Sequence, residues 1–251
     1  MEHGMYRLTY LHEEVLWWYL GMNELTDLLL EQGHRLAGLD VLDAGCGTGG
    51  MMVRLGRRGQ VTGVDISETA LCYCRARGLR RLARGSTTLL PFRARSFDLV
   101  TSFDVLTALP REVHAQTLRE FARVLRPGGH LLVRVGAYEF LRGGHDRASR
   151  ILYRYTRGGL VAALRAAGFQ VERVTYANMT LLPIAIAKRV LERRAEGRAG
   201  DELKTDFWMP PAPLNRGLAG ILHLENLLIR ARVDLPAGLS LVALARLPAG
   251  G

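Results

Sequence analysis

Ten residues carry the densest chemical signal in this chain: Val41-Leu42-Asp43-Ala44-Gly45-Cys46-Gly47-Thr48-Gly49-Gly50. A short apolar run ends in glycines and passes into a helical pattern, which reads as a buried strand, a tight loop and a helix start. Glycines there let the backbone turn sharply and come close to a ligand, with the helix N-terminus behind it. Asp65 closes the next apolar run, about twenty residues after Gly45, where a carboxylate can accept both hydroxyls of a ribose. Two kinds of ligand compete for this arrangement. Gly45, Gly47 and Gly50 satisfy G-x-G-x-x-G, the dinucleotide fingerprint. Asp43 speaks against it, because a carboxylate beside the loop would face a doubly charged pyrophosphate. A ligand with a cationic amino-acid tail and a sulfonium would instead welcome that acid.

The elements that must position these residues follow from the pattern around them. Leu39–Ala44, Gln60–Asp65, Phe97–Phe103, His130–Val135, Gln170–Tyr176 and Leu239–Arg246 read as strands. Between them lie helical stretches: Thr48–Arg58, a helix capped by Ser67 and reaching about Arg77, Arg111–Leu125, and Arg157–Ala167 closed by Gly168. Arg126-Pro127-Gly128-Gly129 reads as a turn. Strands alternating with helices predict a mostly parallel sheet with helices on both faces. Leu11–Gln32 is helical with Gly21 as a break, and Asn178–Leu235 is an insertion with helical ends and a Pro-rich middle at Met209–Pro213. The expected organisation is a helical N-terminal cap over 1–38, a binding core over 39–177, a helical cap over 178–235 and the last strand of the core over 236–251.

Val41–Gly49 resembles the first motif of class I S-adenosylmethionine-dependent methyltransferases, whose cofactor has the cationic tail and sulfonium just described. The likeness continues through Asp65, through Leu90-Pro91-Phe92 and Ser96-Phe97-Asp98-Leu99-Val100, through Leu125-Arg126-Pro127-Gly128-Gly129, and through Leu164–Phe169. It spans Leu39 to Tyr176. The resemblance implies an α/β fold of Rossmann-like type: a doubly wound, seven-stranded, mostly parallel sheet with the two helical caps. It implies S-adenosylmethionine as cofactor and S-adenosylhomocysteine as product. Asp43, Gly45, Cys46 and Gly47 would lie at the methionine moiety and Asp65 at the ribose. Ile66 would pack on the adenine, with Ser86 and Thr87 at its edge and Phe103 at the end of the fourth strand. Ser86 departs from the family, where Asp often stands and accepts from the adenine amino group. A hydroxyl accepts without charge assistance, which predicts somewhat weaker cofactor affinity.

A second, less specific resemblance is to a subgroup of bacterial methyltransferases acting on small molecules. It rests on Trp17-Trp18-Tyr19-x-Gly21, on Tyr138, His145-Asp146, Arg150 and Tyr153-Arg154-Tyr155-Thr156, and on Pro213, Asn215, Glu225 and Leu235-Pro236. Leu16, Met22 and Asn23 depart from it, standing where relatives show His and Arg. Residues after the fifth strand leave the edge of the sheet where ligands bind. His145 is accordingly the candidate general base or substrate contact, since a near-neutral pKa suits removal of an acceptor proton. Asp146 or Arg150 would orient it. The alternative is a polar loop in which Asp146 caps a helix. Asp104, after the fourth strand, either touches substrate or caps the next helix. Tyr10, Trp18, Tyr138 and Tyr153 are the candidate acceptor contacts, against a bland reading in which the Trp face packs on the sheet. His114 and His130 read as structural.

Composition bounds the rest. The 251 residues, 48% hydrophobic and 23% charged, describe an ordinary globular chain. No apolar run is long enough to span a membrane. No signal peptide is read at the N-terminus, and three cysteines fit a reducing cytoplasm. The formal net charge is +10 and almost all of it is arginine. That charge motivates an RNA or DNA methyltransferase as the alternative function, with a non-catalytic scaffold as a third. Ser102-Phe103-Asp104-Val105 stands where base methylases usually carry a proline pair, which weighs against nucleic acid. Apolar stretches at Thr180–Val190 and Leu214–Ile229 pack as a cap or touch a membrane surface. Cys72-x-Cys74 faces two sides of a helix, so no metal site is expected.

Overall fold

The computed structural model describes residues 3–31, 38–143, 146, 151–195 and 209–249. Seven strands form one sheet: β1 Leu39–Ala44, β2 Gly59–Asp65, β3 Leu82–Arg84, β4 Phe97–Phe103, β5 Leu125–Gly136, β6 Gln170–Ala177 and β7 Ser240–Arg246. Their order is β3-β2-β1-β4-β5-β7-β6. The first five are parallel to their neighbours, and β7 runs antiparallel between β5 and β6, with Ala243 opposite both Val133 and Val174. β3 is the strand that the residue pattern did not show. It is three residues long at the sheet margin, too short for periodicity to reveal.

Helices cover both faces: α3 Gly50–Leu55, α4 Glu68–Ala76, α5 His114–Val124 and α6 Arg157–Ala166, with α1 His3–His12 and α2 Trp17–Glu31 before the sheet and α7 Leu182–Ala195 and α8 Ala212–Arg230 in the insertion. A sheet buried on both faces needs continuous apolar strands, and Leu131, Leu132, Val133 and Val135 on β5 meet Leu241 to Ala245 on β7 with little or no exposure. Ser67 caps α4 as expected, its Oγ accepting from the Ala70 N–H at 3.3 Å. Thr156 does the same for α6, and Gly168 follows that helix at φ +90°.

Three boundaries differ from the residue pattern, each for a physical reason. The break in the N-terminal helical segment lies at residues 13–16, and Gly21 sits inside α2. Gly21 is there for contact: a Cβ would stand 2.4 Å from Leu222 Cδ1 on α8. The helix after the glycine loop begins at Gly50, because Gly49 holds the left-handed conformation at φ +85°. Residues 126–129 belong to β5, whose register on β4 shifts between Phe97 and Leu99 across the kink at Gly128.

Hydrogen bonds join α2 and α8. Asn215 Oδ1 accepts from the Trp17 N–H at 2.9 Å, and Asn226 Nδ2 donates to Gly21 O at 2.9 Å. Buried Glu225 accepts from Met179 N, Thr180 N and Thr180 Oγ1, tying α8 to the chain leaving β6. The expectation that Leu214–Ile229 packs as a cap holds for one face only. Leu222 and Ile229 are buried, while Leu214, Ile221, Leu224 and Leu228 are exposed. No described helix is long and apolar enough to cross a membrane.

Candidate functional site

The glycine loop leaves β1 at the carboxyl edge of the sheet. Gly45 takes φ +84°, and a Cβ there would stand 2.2 Å from Val105 Cγ2. The Gly45 and Cys46 N–H groups both donate to Val64 O, at 2.8 and 3.0 Å, which pins the loop to β2. Gly47 then donates its N–H to Asp65 Oδ2 at 2.9 Å, and Ser67 donates to Asp65 Oδ1 at 2.9 Å. One carboxylate thus bridges the loop and the start of α4. Each of its oxygens keeps a further lone pair for a ligand hydroxyl. Burial pushes the Asp65 carboxyl up, and the Ser67 and Gly47 amides partly offset it.

Asp43 ends fully buried one residue before the loop turns. Its Oδ1 accepts from Thr101 Oγ1 at 2.8 Å. Burial pushes its pKa up to about 7; the Thr101 bond pulls it down, and the charges of Asp65 and Glu13 push it up again. Arg134 opposes them more weakly. Glu13 comes from the turn between α1 and α2. It accepts from Thr48 Oγ1 at 2.5 Å and Arg77 Nη2 at 2.8 Å. A Cβ on Gly50 would stand 2.4 Å from its carboxyl group, so this acid rests directly on the loop backbone. Burial raises its pKa too, against the Thr48 and Arg77 contacts. Arg77 binds Thr48 O and Tyr10 O as well, at 3.0 and 3.1 Å, and pairs with Glu14. Three carboxylates therefore converge on one loop of a chain whose net charge is +10. Each is held at a desolvation cost that a cationic ligand would relieve.

The carboxyl ends of β4 and β5 form the second half of the site. Asp104 Oδ2 accepts from Arg134 Nε at 2.9 Å and from Nη2 at 2.7 Å. The Arg134 guanidinium lies 4.7 Å from the Trp18 ring centroid and 4.9 Å from that of Phe103. Tyr19, beside Trp18, hydrogen-bonds to Thr9, and burial pushes its pKa up to about 12; Glu13, Arg134 and Asp104 lie near enough to act on it. Asp104 and Tyr138, the residues just beyond β4 and β5, hold φ +61° and +58°.

The residues singled out from the sequence fall into groups. Asp43, Gly45, Cys46, Gly47 and Asp65 form one wall. Ile66 stands next to it, 68% exposed. Ser86 Oγ bonds Thr88 Oγ1 at 2.8 Å and accepts from the Thr88 N–H, and Thr87 is buried. Asp104, Phe103 and Trp18 meet around Arg134. Tyr138 stacks on Tyr176 at 5.3 Å. The remaining three make other contacts. Tyr10 packs on α4, 4.8 Å from Tyr73 and 4.4 Å from the Arg77 guanidinium. Tyr153 lies against His114 and Arg111. Asp146, 1% exposed, holds Arg154 through both carboxylate oxygens at 2.6 and 2.9 Å and also accepts from the Gly143 N–H, so it fixes its own segment. His145 and Arg150 lie outside the described residues. Among the described residues no group of three or more His, Cys, Asp or Glu could hold a metal.

Reading the sequence missed Glu13, Arg77, Thr101 and Arg134. Arg134 and Thr101 did leave a signal, since each is a polar residue inside an apolar strand run. Glu13 and Arg77 left none, because they meet across more than sixty residues of chain.

Residues 42–133 match the family model described as a methyltransferase domain. A protein of Mycolicibacterium smegmatis named as a probable S-adenosylmethionine-dependent methyltransferase is 36% identical over 145 residues, 55% of this chain and 55% of its own length. A demethylmenaquinone methyltransferase of Listeria monocytogenes is 39% identical over 104 residues, 38% of this chain and 43% of its own. The chain spans about half the length of the curated relatives it matches. The crystal structure of an S-adenosylmethionine-dependent methyltransferase from Mesorhizobium loti shares the fold with a TM-score of 0.57, 20% identity, and coverage of 88% of this chain and 95% of that one.

Proposed function

We propose, from the premise that this chain carries a class I S-adenosylmethionine-dependent methyltransferase domain, that it transfers a methyl group to a small-molecule acceptor. One observation carries the choice of ligand: Asp43, Asp65 and Glu13 crowd the glycine loop with raised pKa values. A pyrophosphate would add negative charge there, and an amino-acid ammonium beside a sulfonium removes it. When bound, S-adenosylmethionine supplies an electrophilic methyl on a sulfonium that is already a good leaving group. Gly45 and Gly47 let the backbone approach its methionine moiety, beside Asp43. Asp65, already oriented by two amides, accepts the ribose hydroxyls. Ile66 offers an exposed apolar face to the adenine, with Ser86 and Thr87 at its rim.

The acceptor would lie at the carboxyl ends of β4 and β5, between Asp104, Arg134, Trp18, Phe103 and Tyr138. Arg134 fixes Asp104 through two N–H donors, and the two rings near Arg134 hold it in place. Such fixed polar groups align an acceptor for in-line attack. His145, on the segment beyond β5, would take the acceptor proton. Some relatives are named for methylation of a small molecule, demethylmenaquinone, which supports the small-molecule reading.

The test is methyl transfer from tritiated S-adenosylmethionine to a metabolite panel, with total RNA as the competing arm. Label in the metabolites and none in RNA supports this reading; label in RNA alone overturns it. With the acceptor found, Asp104→Asn should lower kcat at least about tenfold and change S-adenosylhomocysteine affinity by less than about threefold. Unchanged turnover would remove Asp104 from the acceptor site.

A further inference from the structure

A concavity lies away from the glycine loop. It is a groove of about 340 Å³ between α5 and α6, and no residue of the glycine loop lines it. Arg111 and Arg119 stand along one side. His114, Tyr153 and Tyr155 form the aromatic part, and the α6 side is glycine and alanine, typified by Ala163. No carboxylate lines it.

The charge in the groove can be assigned residue by residue. His114 Nε2 lies 3.0 Å from Leu109 O, which only accepts, so that nitrogen carries hydrogen. Nδ1 shares a hydrogen bond with the Tyr155 hydroxyl at 2.5 Å, so the two rings form a bonded pair at the floor of the groove. Burial pushes the Tyr155 hydroxyl up, away from ionisation. The two arginines bring fixed positive charge to the groove. Arg111 lies 5.0 Å from the Tyr153 ring centroid, and Arg119 Nε turns back to Ala115 O at 3.3 Å. Neither makes an ion pair with an acid among the described residues. Tyr153 and Tyr155 meet edge to face at 4.8 Å and 90°, and His114 stacks on Tyr155 at 5.6 Å. The opposite wall carries no side chain longer than a methyl, which leaves room for a flat guest.

We propose that this groove is a ligand site distinct from the glycine-loop cleft, and that it takes a small aromatic anion. The ring lies against Tyr153, over the small residues of α6, and the anionic group meets Arg111 or Arg119. Guanidinium groups suit carboxylate and phosphate alike, by paired N–H donors.

The test is calorimetric titration of the full chain, saturated with S-adenosylhomocysteine, with benzoate, phenyl phosphate, benzyl alcohol and inorganic phosphate in turn. Saturable one-to-one binding is expected for benzoate or phenyl phosphate, and which binds tighter tells a carboxylate guest from a phosphate guest. Benzyl alcohol and inorganic phosphate, each lacking one half of the chemistry, should bind at least about tenfold more weakly. The double variant Arg111→Gln/Arg119→Gln should lose about tenfold or more, and Ala163→Trp should fill the groove and abolish binding. Unchanged S-adenosylhomocysteine affinity in both variants shows that the fold is kept. The proposal is overturned by absence of saturable binding up to about 10 mM, or by binding that neither variant alters. Sedimentation showing a dimer that Ala163→Trp dissociates would equally overturn it, since the groove would then be an interface between copies.

Discussion

Asp43→Asn should make the protein more stable above pH 7 and nearly unable to bind its cofactor. An unfolded aspartate titrates near 4, and burial raises this one to about 7 in the fold. Between those values the folded state holds more protons than the unfolded state, so stability falls as pH rises. Above about pH 7 the full penalty is present; below about pH 4 both states are protonated and it vanishes. Asparagine keeps an acceptor for Thr101 Oγ1 and carries no charge to desolvate. The expected gain at pH 8 is about 4 kcal/mol, at about 1.4 kcal/mol for each pKa unit. Chemical denaturation at pH 8 and pH 4 measures it: a gain at the first and near equality at the second. A variant less stable than the parent at pH 8 would contradict the assignment of Asp43 as an acid held ionised for a ligand. Cofactor affinity should fall about a hundredfold or more at pH 8, as expected when a buried charge partner is lost.

Gly45→Ala should damage both folding and binding, and Gly47→Ala should not damage folding to the same degree. At Gly45 an added Cβ meets Val105 Cγ2 at 2.2 Å and also takes φ +84°. Left-handed strain costs about 1–2 kcal/mol, and forcing Val105 aside in a packed setting adds about 1–3 kcal/mol. Together these give about 3 kcal/mol, read from the urea midpoint, and the displaced loop should weaken S-adenosylhomocysteine at least about fiftyfold. At Gly47 a Cβ meets no protein atom within 4 Å and only the backbone strain applies. Equal destabilisation by the two substitutions would mean that the loop yields freely at Val105.

What the sequence made legible was the local part of this site. Val41–Gly50 announced strand, loop and helix because burial on both faces demands a continuous apolar strand and the turn demands glycine. Asp43 and Asp65 were legible for the same reason, since an acid at the end of an apolar strand must have a use. The cap side of the site was less readable. Trp17-Trp18-Tyr19 stood out by composition, yet nothing near Glu13 tells that its carboxylate reaches Thr48 and Arg77. Gly21 was read as a helix break because glycine usually disfavours helix. Its contact with Leu222, some two hundred residues away, decided otherwise. The aromatic candidates for acceptor contact separate for a similar reason. Tyr10 follows Arg77, Trp18 follows Arg134 and Tyr138 follows Tyr176, and each pairing is long-range.

The central claim is that the acidic glycine loop binds S-adenosylmethionine. It is tested most directly by calorimetric titration with S-adenosylhomocysteine and, separately, with NAD, on the parent chain and on Asp65→Ala. The predicted result is one-to-one binding of S-adenosylhomocysteine, no binding of NAD, and at least about a hundredfold loss of the former in the variant, where two ribose hydroxyls lose a charged acceptor. Binding of NAD in place of S-adenosylhomocysteine would contradict the claim, and would mean that Asp43 tolerates a pyrophosphate beside it.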